Sequence, residues 1–416
     1  MKILIISTLY PPHVIGGAEK AAAELAEALV RRGHAVVVVS LHPESNEVVE
    51  DRNGVRIYRL PMDNFYWPFG RQDKPSILRR FAWHIREMWN PVAARRIGRI
   101  LDTEKPDVVN THNVCGFSIA TWREVKRRKV RLVHTLHDYY LMCSNGRLFR
   151  KDRNCEKRCL SCTFLTLNRR RSSRLPDAVV SVSQHALDEH IRRQYLQDVP
   201  TTVIYNIQGG TKPSNPQRKE AGSLFNGVVF GFIGRLEQEK GIETLLEATK
   251  HLNRSNWILK VAGRGLMGYI QNLRRTYSDP RIEWMGFIDS SEFYSSVDAV
   301  VIPSLWAEPL PYVVVESLHA GKSLICALSG GIPEIARLSK MVEFFPAGNA
   351  NVLAEKMNLA LALPREWREN QRPDASRLGA FLEENVVERY LREYALKKTT
   401  GSDVQPVALG EESDSA

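Results

Sequence analysis

The sequence predicts an α/β protein with two doubly wound parallel-sheet domains that face each other across a cleft. The chain has 416 residues, which is enough for two domains with separate hydrophobic cores. Short apolar runs alternate with helical patterns along nearly the whole chain, which is typical of parallel sheets covered by helices. Residues 206–226 interrupt this alternation; they are rich in Gly, Pro, Asn and Ser and are predicted to be a linker.

Residues 1–205 are predicted to form the first domain. Residues 19–32 form its first predicted helix, which ends at Gly33. The segment 62–104 is an insertion with many aromatic residues, which we interpret as core, as the lining of an acceptor groove or as a membrane contact. The predicted strands are 2–7, 35–40, 55–60, 108–111, 131–136, 178–182 and 202–205.

Residues 227–376 are predicted to form the second domain. A terminal helix at 377–397 is expected to pack back on the first domain, and the acidic tail at 398–416 is expected to be disordered. The predicted strands are 228–234, 257–262, 282–285, 299–303, 324–327 and 342–345, and the predicted helices are 241–252, 267–277, 290–296 and 312–320.

The positive charge is concentrated in the first half of the chain. The net charge is +11, and residues 1–205 carry 34 Lys and Arg against 21 Asp and Glu. This excess indicates either attraction to an anionic membrane surface or a phosphorylated acceptor, or simply solvated helix faces. Nucleic acid is not expected as a partner, because no aromatic-interleaved basic segment accompanies the charge.

The N-terminal segment and the hydropathy predict a cytoplasmic protein. MKILIISTLYPP is interpreted as a strand rather than a signal peptide, and no run of 18 apolar residues exists. A peripheral position on the inner face of the membrane is the alternative that the basic first half leaves open.

Four of the six cysteines lie in one segment of the first domain, near residues 143–162. Cys159-x2-Cys162 has metal-ligand spacing, and Cys143 and Cys155 would complete a set of four thiolates. A structural zinc ion is one interpretation. An iron–sulfur cluster, disulfides and free thiols are the others, and four thiolates would leave no open position for catalysis.

Two carboxylates, Glu308 and Glu316, are separated by seven residues in the second domain. The first is predicted to lie in a strand-to-helix loop and the second about one turn into the following helix. Ligands of open α/β sheets bind at such carboxyl-end loops. Two acids at different depths suit two groups of hydroxyls, and the backbone amides of Leu310, Tyr312 and Val313 suit an anion between them. A sugar, a diphosphate and a ribose present such groups in that order.

Other candidate residues also follow predicted strands. Arg235 and Lys240 are expected to clamp a diphosphate and to stabilise its departing charge. The remaining candidates are Gly16 and Gly17 before the first helix, Gly263 and Gly265 for close approach of a base or ribose, Phe287 and Asp289 flanking the base, and His137 with Asp138 at a strand tip, one strand after His112.

Together these segments resemble the retaining, metal-independent glycosyltransferases with two Rossmann-like domains, the GT-B fold. This E-x7-E family includes bacterial mannosyl- and glucosyltransferases and sucrose synthases. The resemblance covers nearly the whole chain and rests on GGAE, THN, LHD, GRLEQEKGIETLLEA and the Glu308–Glu316 segment followed by AGKSLICALSGGIPE. The cysteine-bearing loop also resembles one in a subset that works on bacterial surface polysaccharides.

The resemblance implies roles for individual residues. Arg235 and Lys240 match cations that bind pyrophosphate, Glu308 matches an acid that holds the donor sugar, and Glu316 matches one that binds ribose. Gly17 matches a loop glycine near the donor phosphate, and His137 matches a histidine that contacts the sugar or the acceptor side. The family often has glycine at Pro311, so one backbone donor is missing here.

The resemblance therefore predicts transfer of a hexose from a UDP- or GDP-linked sugar to a hydroxyl of a lipid-linked or oligosaccharide acceptor. Retention at the anomeric carbon is expected, and no cofactor is expected to be required for catalysis. A same-fold nucleotide-sugar epimerase and a non-catalytic nucleotide-sugar-binding assembly partner are the alternatives.

Overall fold

The computed structural model describes residues 1–70, 75–208, 227–253, 255–362 and 378–396. Most of the predicted linker, from residue 209 to 226, and the predicted tail lie outside the described residues. Within the described ranges, no helix combines the length and the apolar character that crossing a membrane requires.

The strands and helices of the N-terminal half form one layered α/β domain. Its strands are β1 (Lys2–Ser7), β2 (Ala35–His42), β3 (Val48–Arg52), β4 (Val55–Pro61), β5 (Val108–Asn113), β6 (Arg131–Leu136), β7 (Phe149–Arg150), β8 (Arg153–Asn154), β9 (Ala178–Ser181) and β10 (Thr201–Val203). Its helices are α1 (Gly17–Arg31), α2 (Ile77–Met88), α3 (Pro91–Glu104), α4 (Ala120–Arg127), α5 (Leu160–Leu165), α6 (Leu167–Ser172) and α7 (Gln184–Arg192).

The C-terminal half repeats this architecture with a smaller sheet. Its strands are β11 (Val228–Ile233), β12 (Trp257–Ala262), β13 (Ile282–Gly286), β14 (Ala299–Ile302), β15 (Ser323–Ala327) and β16 (Val342–Phe345). The helices are α8 (Ile242–Thr249), α9 (Met267–Thr276), α10 (Ser290–Ser295), α11 (Tyr312–His319), α12 (Ile332–Ala336), α13 (Ala350–Ala362) and α14 (Glu383–Ala395).

The strand order confirms the predicted fold class of two doubly wound sheets. The N-terminal sheet has the order β10-β9-β6-β5-β1-β2-β4-β3, and the C-terminal sheet has the order β13-β12-β11-β14-β15-β16. Every pair in the second sheet is parallel. Helical crossovers therefore cover both faces, and the carboxyl ends of the strands meet at one edge of each sheet.

The structure also contains elements that the alternating pattern did not predict. Strand β3 pairs antiparallel with β4 at the sheet edge, and β7 and β8 form a two-stranded hairpin inside the cysteine-bearing segment. The aromatic insertion at 62–104 folds mainly as α2 and α3. Short strands and edge hairpins carry too few residues for the period-2 pattern to identify them.

The N-terminal sheet has a hydrophobic core on each face. Leu4 and Ile6 of β1 belong to one buried cluster, whereas Ile3 and Ile5 belong to the other. Successive side chains of a strand point to opposite faces, so a fully apolar strand is what a sheet covered on both sides requires.

The last described helix, α14, packs on the N-terminal domain although it follows the second domain in sequence. Val386, Tyr390 and Tyr394 are buried in the same cluster as Ile3 and Ile5. The hydroxyl of Tyr394 donates to Asn110 Oδ1 at 2.9 Å. The chain therefore crosses back between the domains, and this contact ties α14 to the first sheet.

Truncation of Tyr390 should destabilise the protein through this helix. Tyr390 is only 3% exposed. Tyr390→Ala is expected to cost about 3–5 kcal/mol of unfolding free energy, the range for large aromatic truncations in cores. Urea denaturation followed by circular dichroism measures this loss.

Glu388→Ala on the same helix is the matched control for that measurement. Glu388 is exposed and pairs only with Arg392 one turn away among the described residues. Its loss is expected to cost about 0.5 kcal/mol or less. Equal effects of the two substitutions would show that α14 does not contribute to the folded core.

Candidate active site

The two domains enclose a cavity of about 1250 Å³ at the carboxyl ends of their strands. It is lined by loops that follow strands in both sheets, as expected for this topology. Most of the sequence-predicted residues outside the cysteine segment lie on its wall, His112 and Asp289 being the exceptions. Those on the wall include Gly16, Gly17, His137, Arg235, Lys240, Gly263, Glu308, Leu310, Tyr312, Val313 and Glu316.

The loop between β14 and α11 places Glu308 in the cavity wall. Gly331 N donates to Glu308 O at 2.7 Å. Gly330 has φ +58, and a Cβ there would lie 2.4 Å from the backbone of Glu308. Only glycine fits so close to this loop with a positive φ, so the SGG turn after β15 fixes the carboxylate position.

Glu308 forms an ion pair with Lys240. The Lys240 ammonium donates to Glu308 Oε2 at 2.7 Å, and the two side chains are 19% and 10% exposed. The ammonium also lies 5.5 Å from the centroid of the Trp306 ring. Partial burial strengthens such a pair relative to one at the surface. The second carboxylate oxygen and the remaining ammonium hydrogens stay available to a ligand.

Arg235 is held by carboxylates of its own loop. It pairs with Glu237 and Glu239 at 2.9 Å each, and Glu239 also accepts from Arg147 at 2.6 Å. The sequence predicted Arg235 and Lys240 as a cationic clamp without counter-charges. The structure instead gives each cation a carboxylate partner, so an incoming diphosphate would have to share or replace these partners.

Glu316 lies in the second turn of α11 and faces the N-terminal domain. It accepts a hydrogen bond from Tyr294 at 3.0 Å, and its other oxygen is 3.4 Å from the Lys20 ammonium. Lys20 belongs to α1 of the first domain, so this contact bridges the cleft. The carboxylate is 23% exposed and remains accessible to hydroxyl groups.

The N-terminus of α11 provides backbone donors between the two acids. Tyr312 and Val313 are its first residues and line the cavity with Leu310. Their N–H groups precede the first intrahelical hydrogen bonds and are free for an anion. Pro311 is the N-cap, where a missing N–H costs little because no helical bond begins there.

The GGAE loop is positioned by two contacts that the sequence did not reveal. Glu19 accepts from Gly16 N at 2.8 Å and closes the start of α1. A Cβ on Gly17 would lie 2.5 Å from the Tyr312 ring of the second domain. The glycine was predicted to admit a ligand phosphate, and in the structure it admits an aromatic ring from across the cleft.

His137 belongs to a hydrogen-bonded chain that fixes its tautomer. His112 Nε2 lies 2.7 Å from Asn110 Oδ1, an acceptor, so this nitrogen must donate. His112 Nδ1 must then accept from His137 Nε2 at 2.8 Å. This network assigns His137 Nδ1 as an unprotonated acceptor, and His137 is one of the residues that line the cavity. Tyr394 of α14 donates to the same Asn110 oxygen and completes the chain.

Burial keeps both histidines neutral. It lowers the pKa of His137 to about 3 and places the pKa of His112 well below its usual value. His112 was considered as a second cavity residue, and the structure places it behind His137, only 3% exposed. A neutral imidazole offers an acceptor for a hydroxyl group and adds no positive charge to the cleft.

Sequence reasoning missed several residues of the wall. Arg147 and Arg264 line the cavity, and the guanidinium of Arg264 stacks 3.9 Å from the centroid of the Phe287 ring. Arg147 lies in the cysteine segment, where no pattern indicated a cleft residue. Asp138, which was predicted together with His137, also lines the cavity, and burial raises the pKa of its carboxyl group to about 6.

The role proposed for Asp289 was wrong. Its carboxylate accepts from Ser291 N at 2.8 Å and caps α10. It therefore stabilises a helix start, which is the commonest use of Asp before a helix. Phe287 and Ile288 line the cavity on this loop instead.

The cysteine segment contacts the Glu308 loop directly. The Asn154 amide donates to Leu305 O at 2.8 Å and accepts from Ala307 N at 2.9 Å. The Trp306 indole donates to Arg147 O at 2.6 Å. Asn154 of the β7–β8 hairpin and Arg147 just before it therefore hold the Glu308 loop of the second domain by three hydrogen bonds.

The four cysteines of this segment lie close together, and the Cys162 thiol interacts with both Cys143 and Cys159. The Cys162 thiol donates to Cys143 Sγ at 3.9 Å, and this bond with backbone donors of Leu148, Asn145 and Arg147 lowers the pKa of Cys143. Among the described residues, no three metal-ligating side chains are grouped closely enough to hold an ion. The zinc site therefore stays a prediction.

Metal analysis of the purified protein tests that prediction. About one zinc per chain is expected by elemental analysis, because four thiolates make a closed tetrahedral site. Cys159→Ser and Cys162→Ser should release the metal, whereas Cys115→Ala, outside the segment, should retain it.

Other outcomes distinguish the remaining interpretations of the thiols. Visible absorption with bound iron would indicate a cluster, and loss of thiol reactivity without metal would indicate disulfides. Four reactive thiols in a metal-free protein would contradict the zinc, cluster and disulfide interpretations.

Family models match both halves of the chain. Residues 16–206 match the glycosyl transferase 4-like domain, and residues 215–377 match the glycosyl transferases group 1 domain. An uncharacterized 42.6 kDa protein in the cps region of Klebsiella pneumoniae is 32% identical over 344 residues, covering 83% of this chain and 90% of the relative. An uncharacterized glycosyltransferase of Methanocaldococcus jannaschii is 28% identical over 351 residues, covering 81% and 83%.

Solved structures share the two-domain architecture at low identity. Sucrose-phosphate synthase from Thermosynechococcus elongatus superimposes with a TM-score of 0.72 at 18% identity, covering 94% of this chain and 98% of the other. Anabaena HepE, in complex with UDP and glucose, gives a TM-score of 0.67 at 18% identity, with 94% and 99% covered. The strand order, the two matched domains and the Klebsiella relative agree: the chain belongs to the group 1 glycosyltransferases of the GT-B fold.

Proposed function

We propose that the protein transfers a hexose from a UDP- or GDP-linked sugar to a hydroxyl of a lipid-linked or oligosaccharide acceptor, with retention at the anomeric carbon. The observation that carries the proposal is the convergence of Glu308, Lys240, Arg235, Glu316 and His137 on one cavity between the domains. The relative from a cps region supports a role in surface polysaccharide or glycoconjugate synthesis, and the likeness to HepE, solved with UDP and glucose, supports a nucleotide-sugar donor.

The cavity offers a place for each part of a nucleotide sugar. Glu316 and the Arg264–Phe287 stack would hold the ribose and the base, and the amides of α11 with Arg235 and Lys240 would hold the diphosphate. Glu308 and His137 Nδ1 would accept hydrogen bonds from sugar hydroxyls. The acceptor would then enter from the N-terminal domain side of the cleft.

The proposed reaction needs no nucleophile from the enzyme. The bond between the anomeric carbon and the phosphate oxygen lengthens, and the acceptor oxygen forms its bond on the same face of the sugar. The acceptor proton passes to the departing phosphate oxygen, and the nucleoside diphosphate leaves. Lys240, Arg235 and the α11 amides stabilise the charge on the leaving group, so a metal ion is not required for this step.

The ion pair with Lys240 supports a positioning role for Glu308. A carboxylate that is bound to an ammonium at 2.7 Å is a weaker nucleophile than a free one. A double displacement with Glu308 as nucleophile is therefore the less favoured mechanism. In both mechanisms Glu308 touches the reacting sugar, so its substitution must lower the rate.

Substitution of the Lys240–Glu308 pair tests the proposed reaction. A panel of UDP, GDP and ADP sugars identifies the donor by thermal shift, since ligand at a hundred times its Kd adds about 2.7 kcal/mol of stability. With that donor, Lys240→Met is expected to lower kcat/KM about 100- to 1,000-fold, as for one lost donor to a developing charge. Glu308→Gln is expected to lower it about 10-fold or more, because a charged hydrogen bond is lost.

Glu283→Gln is the matched control for these variants. Glu283 is exposed on β13 and does not line the cavity. Its substitution removes the same charge from the same domain as Glu308→Gln does. Near-full activity of Glu308→Gln would contradict both mechanisms. Donor isomerisation without an acceptor would identify an epimerase, and donor binding without hydrolysis or transfer over an acceptor panel would identify a binding protein.

The pH dependence of donor binding tests the acceptor role of His137. The loss of one neutral hydrogen bond in His137→Phe should weaken the donor about 2- to 12-fold. Because burial lowers the pKa of His137 to about 3, its Nδ1 remains an acceptor at pH 5. The ratio of variant to wild-type Kd should therefore be the same at pH 8 and pH 5, as measured by calorimetry.

His251→Phe, an exposed histidine of the second domain, is the control for this titration. An ordinary histidine would lose its acceptor through protonation near pH 6.5, and the ratio would then fall toward one as the solution is acidified. Such a fall would contradict the lowered pKa of His137 and leave the transfer reaction untouched.

A further inference from the structure

Helix α2 carries an unusual exposed apolar face. Ile77 and Leu78 are 82% and 81% exposed, Phe81 is 53% exposed, and Ile85 is 39% exposed. The spacing of these residues places them on one side of the helix. A solvent-facing helix surface normally carries polar residues, and clustered large apolar side chains mark an interaction site.

The opposite face of α2 packs against the N-terminal domain. Trp83 is 4% exposed and donates to Tyr66 O at 3.1 Å. Glu87 is fully buried and accepts from Tyr140 at 2.5 Å and from Gly116 N at 2.9 Å. The helix is therefore fixed by its buried side, and the apolar side is displayed to the outside of the described structure.

A second apolar stripe lies on the neighbouring helices of the cysteine segment. Leu160 is 90% exposed, Phe164 is 55% exposed and Leu167 is 50% exposed, at helical spacing along α5 and the start of α6. Helix α5 contacts α2. We call the seven side chains of the two stripes the α2–α5 apolar surface; they are Ile77, Leu78, Phe81, Ile85, Leu160, Phe164 and Leu167.

Positive charge surrounds this surface. Arg79, Arg80, Lys157 and Arg171 are exposed, and Arg171 continues the stripe of α5 and α6 by one further turn. In the described part of the chain these four side chains form no ion pair with a carboxylate. Apolar side chains ringed by unpaired cations match the acyl boundary and the headgroups of an anionic bilayer.

We propose that the α2–α5 apolar surface docks the protein on a bilayer that contains anionic phospholipids. The proposal rests on exposure and charge and is independent of the transfer reaction. Gly70, seven residues before α2, lines the cavity, and so do Val14 and Ile15, which are 47% and 44% exposed. Docking through α2 would therefore bring the apolar rim of the cleft close to the lipid.

Cosedimentation with vesicles tests the docking surface. Wild-type protein is expected to bind phosphatidylcholine vesicles with 30% phosphatidylglycerol, roughly 10-fold or more better than pure phosphatidylcholine, and to dissociate in high salt. Leu78→Glu and Leu160→Glu are each expected to reduce partitioning roughly 10-fold or more, since each removes a large apolar contact and adds repulsion. Arg80→Ala with Arg171→Ala should reduce binding to the anionic vesicles selectively.

Leu359→Glu is the matched control, because Leu359 is a 49% exposed leucine on α13 of the second domain. It should bind vesicles like the wild type. All these positions are exposed, so unchanged melting curves verify folding of each variant. Absence of binding to anionic vesicles at low salt would overturn the proposal, as would equal loss in Leu359→Glu. A dimer that only Leu78→Glu or Leu160→Glu dissociates, without vesicle binding, would assign the surface to a second copy of the chain.

Discussion

The direction of the strands is the constraint on which the rest of this structure depends. In both sheets the strands that approach the cleft are parallel, so their carboxyl ends open toward the same space. Loops that are far apart in the sequence therefore converge on one cavity. Glu308 follows β14, Lys240 follows β11 and His137 follows β6, and all three line one cavity.

Charge in the cavity is balanced before any ligand arrives. Lys240 is matched by Glu308, Arg235 by Glu237 and Glu239, and Lys20 by Glu316. Unpaired charges in a partly buried cleft would destabilise the folded protein. These contacts therefore offset the desolvation free energy of the cations. A diphosphate that enters can exchange a carboxylate for a phosphate oxygen, and the side chains are already oriented for it.

The cysteine-bearing segment has a position that links three features of the protein. It binds the Glu308 loop through Asn154 of the hairpin and through Arg147, and its helix α5 carries two of the seven side chains of the α2–α5 apolar surface. The Cys143–Cys162 contact belongs to the first hydrophobic core, with Cys143 before the hairpin in the sequence and Cys162 inside α5.

The sequence by itself determined the α/β class, most of the strands and part of the cavity wall, because buried parallel strands are apolar runs and ligand loops follow them directly. It did not reveal β3, the β7–β8 hairpin or the capping role of Asp289, since short edge elements and caps leave weak local patterns. Only the tertiary structure decided which groups meet. The Lys240–Glu308 pair, the ring of Tyr312 against Gly17 and the tautomer of His137 depend on contacts between distant segments. Such contacts follow from the packing of whole domains and carry no signature in any single stretch of the chain.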